Sequence, residues 1–243
     1  NATFENYARL FDTVGFSDNL MDSLIVAVGT LIVGLSLSVT AAYSFSRFNF
    51  KGKRVLMLQF LLIIAGLGCC VAMSMPQVHI VAYCVDLGYG VASGADMLAI
   101  MVGAGVISRL ASGFLADAIG GVKTLLIGST AQCLALFLYL PFDGLVSLYV
   151  VSLIFGLSQG GIVPSYAIIV REYLPAKEAG QRVGLVVMST ILGMALGGWM
   201  SGWIYDLTGS YEAAFLNGIA WNFMNMGIMV FILMRGRKRA ALA

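Results

Sequence analysis

Arg109 is the one basic residue inside the apolar run 95–114. A guanidinium is planar, permanently charged and carries its donors in a fork, which suits two-point recognition of a carboxylate. Asp117 follows eight residues later, about 12 Å along the axis if the run is helical. It sits in Gly113-Phe-Leu-Ala-Asp-Ala-Ile-Gly-Gly-Val-Lys123, a short charged turn set between two apolar stretches. Arg182 stands at the start of a later apolar stretch. Asp117, Arg182, Gly113, Gly120 and Lys123 are charged or turn residues at the ends of apolar stretches, and a solvated turn carboxylate is one reading of Asp117. His79 is the single histidine and lies beside Gln77. Its imidazole, with an ordinary pKa near ~6.5, could answer to protons or could simply be a polar anchor. Asn217, Trp221 and Asn225 recur at helical spacing, and could line a cavity or hydrogen-bond between helices. The candidate ligand-binding set is therefore Arg109, Asn225, Gln77 and His79.

Other chemistries find no constellation. There is no Cys/His metal spacing, no phosphate loop of the G-x-x-x-x-G-K-[ST] kind and no activated serine, so no catalytic residue, metal or cofactor is expected. The four cysteines, Cys69, Cys70, Cys84 and Cys133, lie in or beside apolar runs and read as small hydrophobes. The net charge is only +2, and the basic residues form no nucleic-acid face.

The elements that must position these residues are long and greasy. The chain is 60% hydrophobic and 11% charged, with a mean hydropathy of +0.92. Soluble domains carry roughly 25% charged residues, so the composition predicts an all-α polytopic membrane protein. Seven runs approach the ~20 residues that a crossing needs: 23–46, 55–80, 95–114, 122–140, 145–170, 183–205 and 213–234. A charge within such a run costs about 2.5–3.5 kcal/mol by insertion scales. Arg109 therefore needs a wet cavity, a partner or a bound anion, unless it snorkels to the interface.

The basic residues orient the chain. With the loops assigned to alternating sides, twelve Lys and Arg residues fall on one side: 47, 51, 53, 54, 123, 171, 177, 182, 235, 237, 238 and 239. Only Arg9 falls on the other. Basic residues favour the cytoplasmic side, which puts the C-terminus inside and the N-terminus outside a plasma (inner) membrane. Trp203 and Tyr205 then sit at the outer interface. Asn1 replaces a starting methionine and no cleavable leader precedes residue 23, so the sequence reads as truncated at its N-terminus.

Glycines mark the packing. Gly193, Gly197, Gly198 and Gly202 form small-xxx-small pairs that admit close helix approach. Gly160, Gly161 and Pro164 predict a kink or break in the run 145–170, because proline removes a backbone donor.

From residue 55 onward these motifs resemble the C-terminal six-helix half of major facilitator superfamily transporters, near the monocarboxylate porter and oxalate/formate antiporter branch. The resemblance rests on the Gly113–Lys123 turn, on Met75-Pro-Gln-Val-His-Ile80 and Tyr83-Cys-Val-Asp-Leu-Gly88, on Ser108-Arg109, and on Arg171-Glu-Tyr-Leu-Pro175 with Gly180. Ala118 departs from the pattern, where Arg is usual. The resemblance implies that Arg109 binds a substrate carboxylate and that Asp117 meets the start of the sixth span, with Arg182 joining it. It implies alternating access for a small organic anion; proton coupling through His79 is an option that rests on the imidazole alone. The oxalate-type members carry an additional Lys on the sixth span; its absence from 183–205 points to a monocarboxylate.

The first residues resemble something else. Phe4-Glu-Asn-Tyr7, Asp22-Ser-Leu-Ile-Val-Ala-Val-Gly-Thr30 and Ala41-Ala-Tyr-Ser-Phe-Ser-Arg-Phe-Asn-Phe-Lys-Gly-Lys-Arg54 are similar to the early part of a sugar-type ABC-importer permease. The E-A-A-x-x-D-G coupling loop of that family is missing. The expected organisation is an ABC-permease-like segment over 1–54 with one crossing, fused to a facilitator half over 55–243. Such a chain would be a half-transporter in need of self-association or an N-terminal facilitator half. A non-functional fusion and an ABC permease subunit are the alternatives.

Overall fold

The computed structural model describes residues 52–240, with a few positions between Met21 and Ser36. By its internal contacts the chain divides into Asn1–Lys53 and Arg54–Ala243, and the helices described below build the second unit. The ABC-permease-like segment, with its crossing over 23–46, lies almost wholly outside the described residues.

All regular structure among the described residues is helical. The helices are α1 (Lys53–Asp86), α2 (Gly90–Ile119), α3 (Gly121–Leu138), α4 (Leu145–Gln159), α5 (Ile162–Tyr173), α6 (Ala179–Thr208) and α7 (Glu212–Ala240), with a 3-10 turn at Ala176–Glu178 before α6. α4 and α5 follow one another within a single crossing, Leu145–Tyr173, so six spans are long and apolar enough to cross a membrane. The protein is a multi-pass membrane protein.

Boundaries differ from the sequence expectation in two informative places. The first described span does not stop near residue 80 but continues to Asp86, through Pro76. It ends where Gly88 and Gly90 adopt φ of 82° and 81°, values that glycine tolerates without a Cβ clash. The charged turn at 113–123 is almost entirely helix. α2 continues to Ile119, and Gly120 alone (φ 87°, ψ 157°) reverses the chain into α3.

Small residues set how closely the helices pack. A Cβ added at Gly193 would collide with the carbonyl oxygen of Leu67, and one at Gly197 with Ser74 and the Val71 carbonyl. These contacts seat α6 against the middle of α1, where every residue from Gly68 to Pro76 is buried. On the other side α2 lies along α4. Gly156 admits the backbone of Met101, and Gly160 admits that of Gly105. α3 and α7 are antiparallel neighbours, joined by Asn222 Nδ2 donating to the Ser129 carbonyl at 3.0 Å. All four cysteines are buried and unpaired.

Aromatic rings close the end of the bundle at the turn between α6 and α7. Tyr205 stacks on Tyr211 at 4.3 Å, and Tyr83 meets both Tyr211 and Phe215 edge-on. Tyr139 stacks on Phe215 at 5.0 Å and bonds the Ser152 hydroxyl at 2.9 Å. Tyr211 lies in the turn between α6 and α7. Burial, with the Asp86 carboxylate adding to it, pushes its phenol upward, so it stays neutral.

Candidate functional site

α2 carries Arg109 and Asp117 on one unbroken helix, so the eight-residue separation corresponds to about 12 Å of rise. Arg109 is exposed within the described unit, whereas its neighbour Ser108 is buried and donates to the Leu157 carbonyl at 2.5 Å. Ser108 thus pins α2 to the last turn of α4 and leaves Arg109 on the shoulder of that contact.

The fourth crossing is interrupted at the same depth. α4 ends at Gln159 and α5 begins at Ile162. Pro164 has no N–H to give the Gly160 carbonyl, so the ladder of i→i−4 bonds lapses there. Gly160 and Gly161 nevertheless keep right-handed helical angles, so the ladder is broken without a sharp turn in the chain. Gly160 faces Gly105 and Ser108, and Gly161 faces Ser112. The discontinuity therefore brackets Arg109.

Gln77 joins this region from α1, with its Nε2 donating to Oε1 of Gln159 at 2.8 Å. His79 points elsewhere. Its Nε2 donates to the Gly198 carbonyl at 2.9 Å, and its ring lies 5.8 Å from that of Tyr211. This bond ties α1 to α6.

Asn225 lies on α7. It is fully buried; its Oδ1 accepts from the Tyr166 hydroxyl at 2.7 Å and its Nδ2 donates to Ser129 Oγ at 2.9 Å. Of the two sequence readings, hydrogen bonding between helices accounts for both of its polar groups. Asn217 and Trp221 on the same helix are half-buried.

At the other end of α2, Asp117 and Lys123 are exposed. The partner of Arg182 differs from expectation: it pairs with Glu178, with Nε to Oε2 at 3.0 Å. Residues four apart on a helix face each other, which makes Glu178 the nearest carboxylate. The Arg182 carbonyl also accepts from Gln59 Nε2 at 3.1 Å, tying the start of α6 to α1.

Two residues with positions at this site were not singled out from sequence. Glu172 accepts from the Gly121 N–H at 3.0 Å, placing a carboxylate on the free amides that begin α3. Its signal was a carboxylate in the Arg171–Pro175 motif, with two adjacent glycines elsewhere to receive it. Gln159 was legible only as the polar residue preceding Gly160-Gly161.

Comparison with known proteins agrees with this architecture. Residues 86–242 match the family model of the Major Facilitator Superfamily. Monocarboxylate transporter 13 of Rattus norvegicus is 29% identical over 157 residues, which cover 64% of this chain and 37% of that protein. The Bos taurus protein of the same name matches to the same extent. Probable anion transporter 5 of Arabidopsis thaliana is 32% identical over 122 residues, covering 48% of this chain and 28% of that protein. The chain thus spans little more than a third of the length of these curated relatives.

Proposed function

We propose, from the fact that this chain belongs to the Major Facilitator Superfamily, that it forms the C-terminal half of a secondary carrier for small organic anions of the monocarboxylate kind. The observation that carries the reading is Arg109, the one basic residue of α2, level with the interruption at Gly160 and Gly161. Arg109 binds the substrate carboxylate through its fork. Gln77 lines the same region, and the interrupted crossing accommodates the rocking between two halves. Asp117 and Arg182 work at the cytoplasmic gate, with Gly113, Gly120 and Lys123 shaping it. His79 is the group through which proton coupling would act. The relatives named as monocarboxylate and anion transporters support this substrate class.

The chain sits in the plasma (inner) membrane with its C-terminus in the cytoplasm, as its basic residues favour. Residues 1–54 are a foreign, ABC-permease-like segment, and one crossing does not make a second six-helix half. Transport therefore requires self-association or an N-terminal facilitator half. The test is proteoliposome uptake of radiolabelled propionate by this chain, alone and with an N-terminal half. We expect a dimer or larger species in detergent, no gradient-driven uptake alone, and uptake with the added half that Arg109→Gln abolishes while membrane insertion persists. Saturable uptake by a monodisperse monomer defeats the half-transporter reading, and unchanged kinetics in Arg109→Gln remove Arg109 from the site.

A further inference from the structure

Gln159 is buried at 5% exposure on the last residue of α4, immediately before the interruption. Its carbonyl oxygen is taken by Gln77 Nε2 at 2.8 Å. With Gln77 as the donor in that bond, Nε2 of Gln159 is the end left to donate. Nε2 makes no other hydrogen bond among the described residues, and it points at α2 where Gly105 has no side chain. An added Cβ at Gly105 would stand 4.0 Å from it. Arg109 is four residues beyond Gly105. Four residues of helix are about 6 Å of rise and about 40° of rotation, so Arg109 stands one turn away on nearly the same line.

From this we infer that Gln159 is a second recognition residue for the anion: its Nε2–H donates to the carboxylate held by Arg109, and Gln77 is the positioning residue that aims it. The inference rests on Arg109 being the carboxylate-binding residue of the proposed carrier. A neutral amide supplies a donor without a second cation, which fits a substrate carrying a single negative charge. It also fixes the orientation of the carboxylate, since one guanidinium alone leaves the anion free to tilt. Gly105 is the opening through which the amide reaches the site.

The experiment measures binding of radiolabelled propionate to the chain assembled with an N-terminal half, with propionamide as the uncharged competitor. Gln159→Leu should weaken propionate binding about tenfold or more, the range for a hydrogen bond to a charged group. Gln159→Glu keeps the acceptor for Gln77 but sets a carboxylate against the substrate. Its binding should be poor at neutral pH and recover on acidification, a profile that mere loss of packing would not produce. Gln77→Leu should weaken binding by a few-fold, and Gln77→Glu, protonated at low pH and again able to donate, should regain it there. If Gln159→Leu and Gln159→Glu both bind like the parent while Arg109→Gln does not, the role of Gln159 is overturned and that of Arg109 stands. If Arg109→Gln binds like the parent, or the parent binds propionate no better than propionamide, the carboxylate reading falls and this inference falls with it.

Discussion

At the scale of single residues, polar groups divide into those already satisfied and those with something left to offer. Asn225 belongs to the first kind, since Tyr166 and Ser129 occupy both ends of its amide. Replacing it with leucine strands two buried hydroxyls, and leaving buried groups unsatisfied costs about 1–3 kcal/mol. We expect Asn225→Leu to lower the unfolding temperature in detergent markedly. In a transport-competent assembly it should leave the affinity for propionate unchanged. A changed affinity with unchanged stability would move Asn225 back among the ligand-binding residues. Arg109 is of the second kind. Its neighbour Ser108 is committed to the Leu157 carbonyl, whereas the guanidinium is exposed on the described unit.

At the scale of elements, the small residues decide which helices can touch. Gly197 lies where a side chain would strike Ser74 and the Val71 carbonyl, while Gly103 has nothing within 4 Å of an added Cβ. Gly197→Leu should therefore destabilise the bundle by at least the ~1–3 kcal/mol typical of overpacking. Gly103→Ala should be neutral or slightly stabilising, because alanine is the better helix former. Thermal melts of the two variants side by side test this, and equal melting temperatures would contradict the α1–α6 contact. The proposed gate would be a property of element ends. In this conformation Arg182 is held by Glu178, and Glu172 holds the start of α3. If Asp117 and Arg182 meet in the outward-open state, Asp117→Cys with Arg182→Cys should cross-link in that state. Labelling of both positions without cross-linking in any state would separate them.

At the scale of the whole molecule, six apolar crossings joined by short turns leave the direction of insertion as the open degree of freedom. The distribution of basic residues predicts that the turn at Ser210 faces outside and the turn at Lys177 faces the cytoplasm. All four native cysteines are buried, which keeps the labelling background low. A membrane-impermeant thiol reagent applied to intact cells should modify Ser210→Cys and spare Lys177→Cys. The reverse pattern would invert the topology and place the proposed gate on the outer face. The chain belongs to the Major Facilitator Superfamily, and its matched residues cover 37% of Monocarboxylate transporter 13.

Composition and hydropathy alone determined the helical membrane class and the location of the described crossings, because the bilayer imposes a length and an apolarity that any spanning segment must meet. They also marked Arg109 as anomalous, since a charge on an apolar run is visible without knowing what surrounds it. The breakpoint at Gly160 and Gly161 was legible for the same local reason, the missing donor of Pro164. Helix ends were less so: whether Gly113 to Ile119 turned or continued depended on Gly120 alone taking a positive φ. Partnerships between helices were out of reach. Gln77 meets Gln159 across 82 positions and Asn225 meets Ser129 across 96. Each depends on how far one helix is rotated and slid against the next. Those two quantities are set by the fit of glycines against facing backbones, and only the assembled bundle decides them.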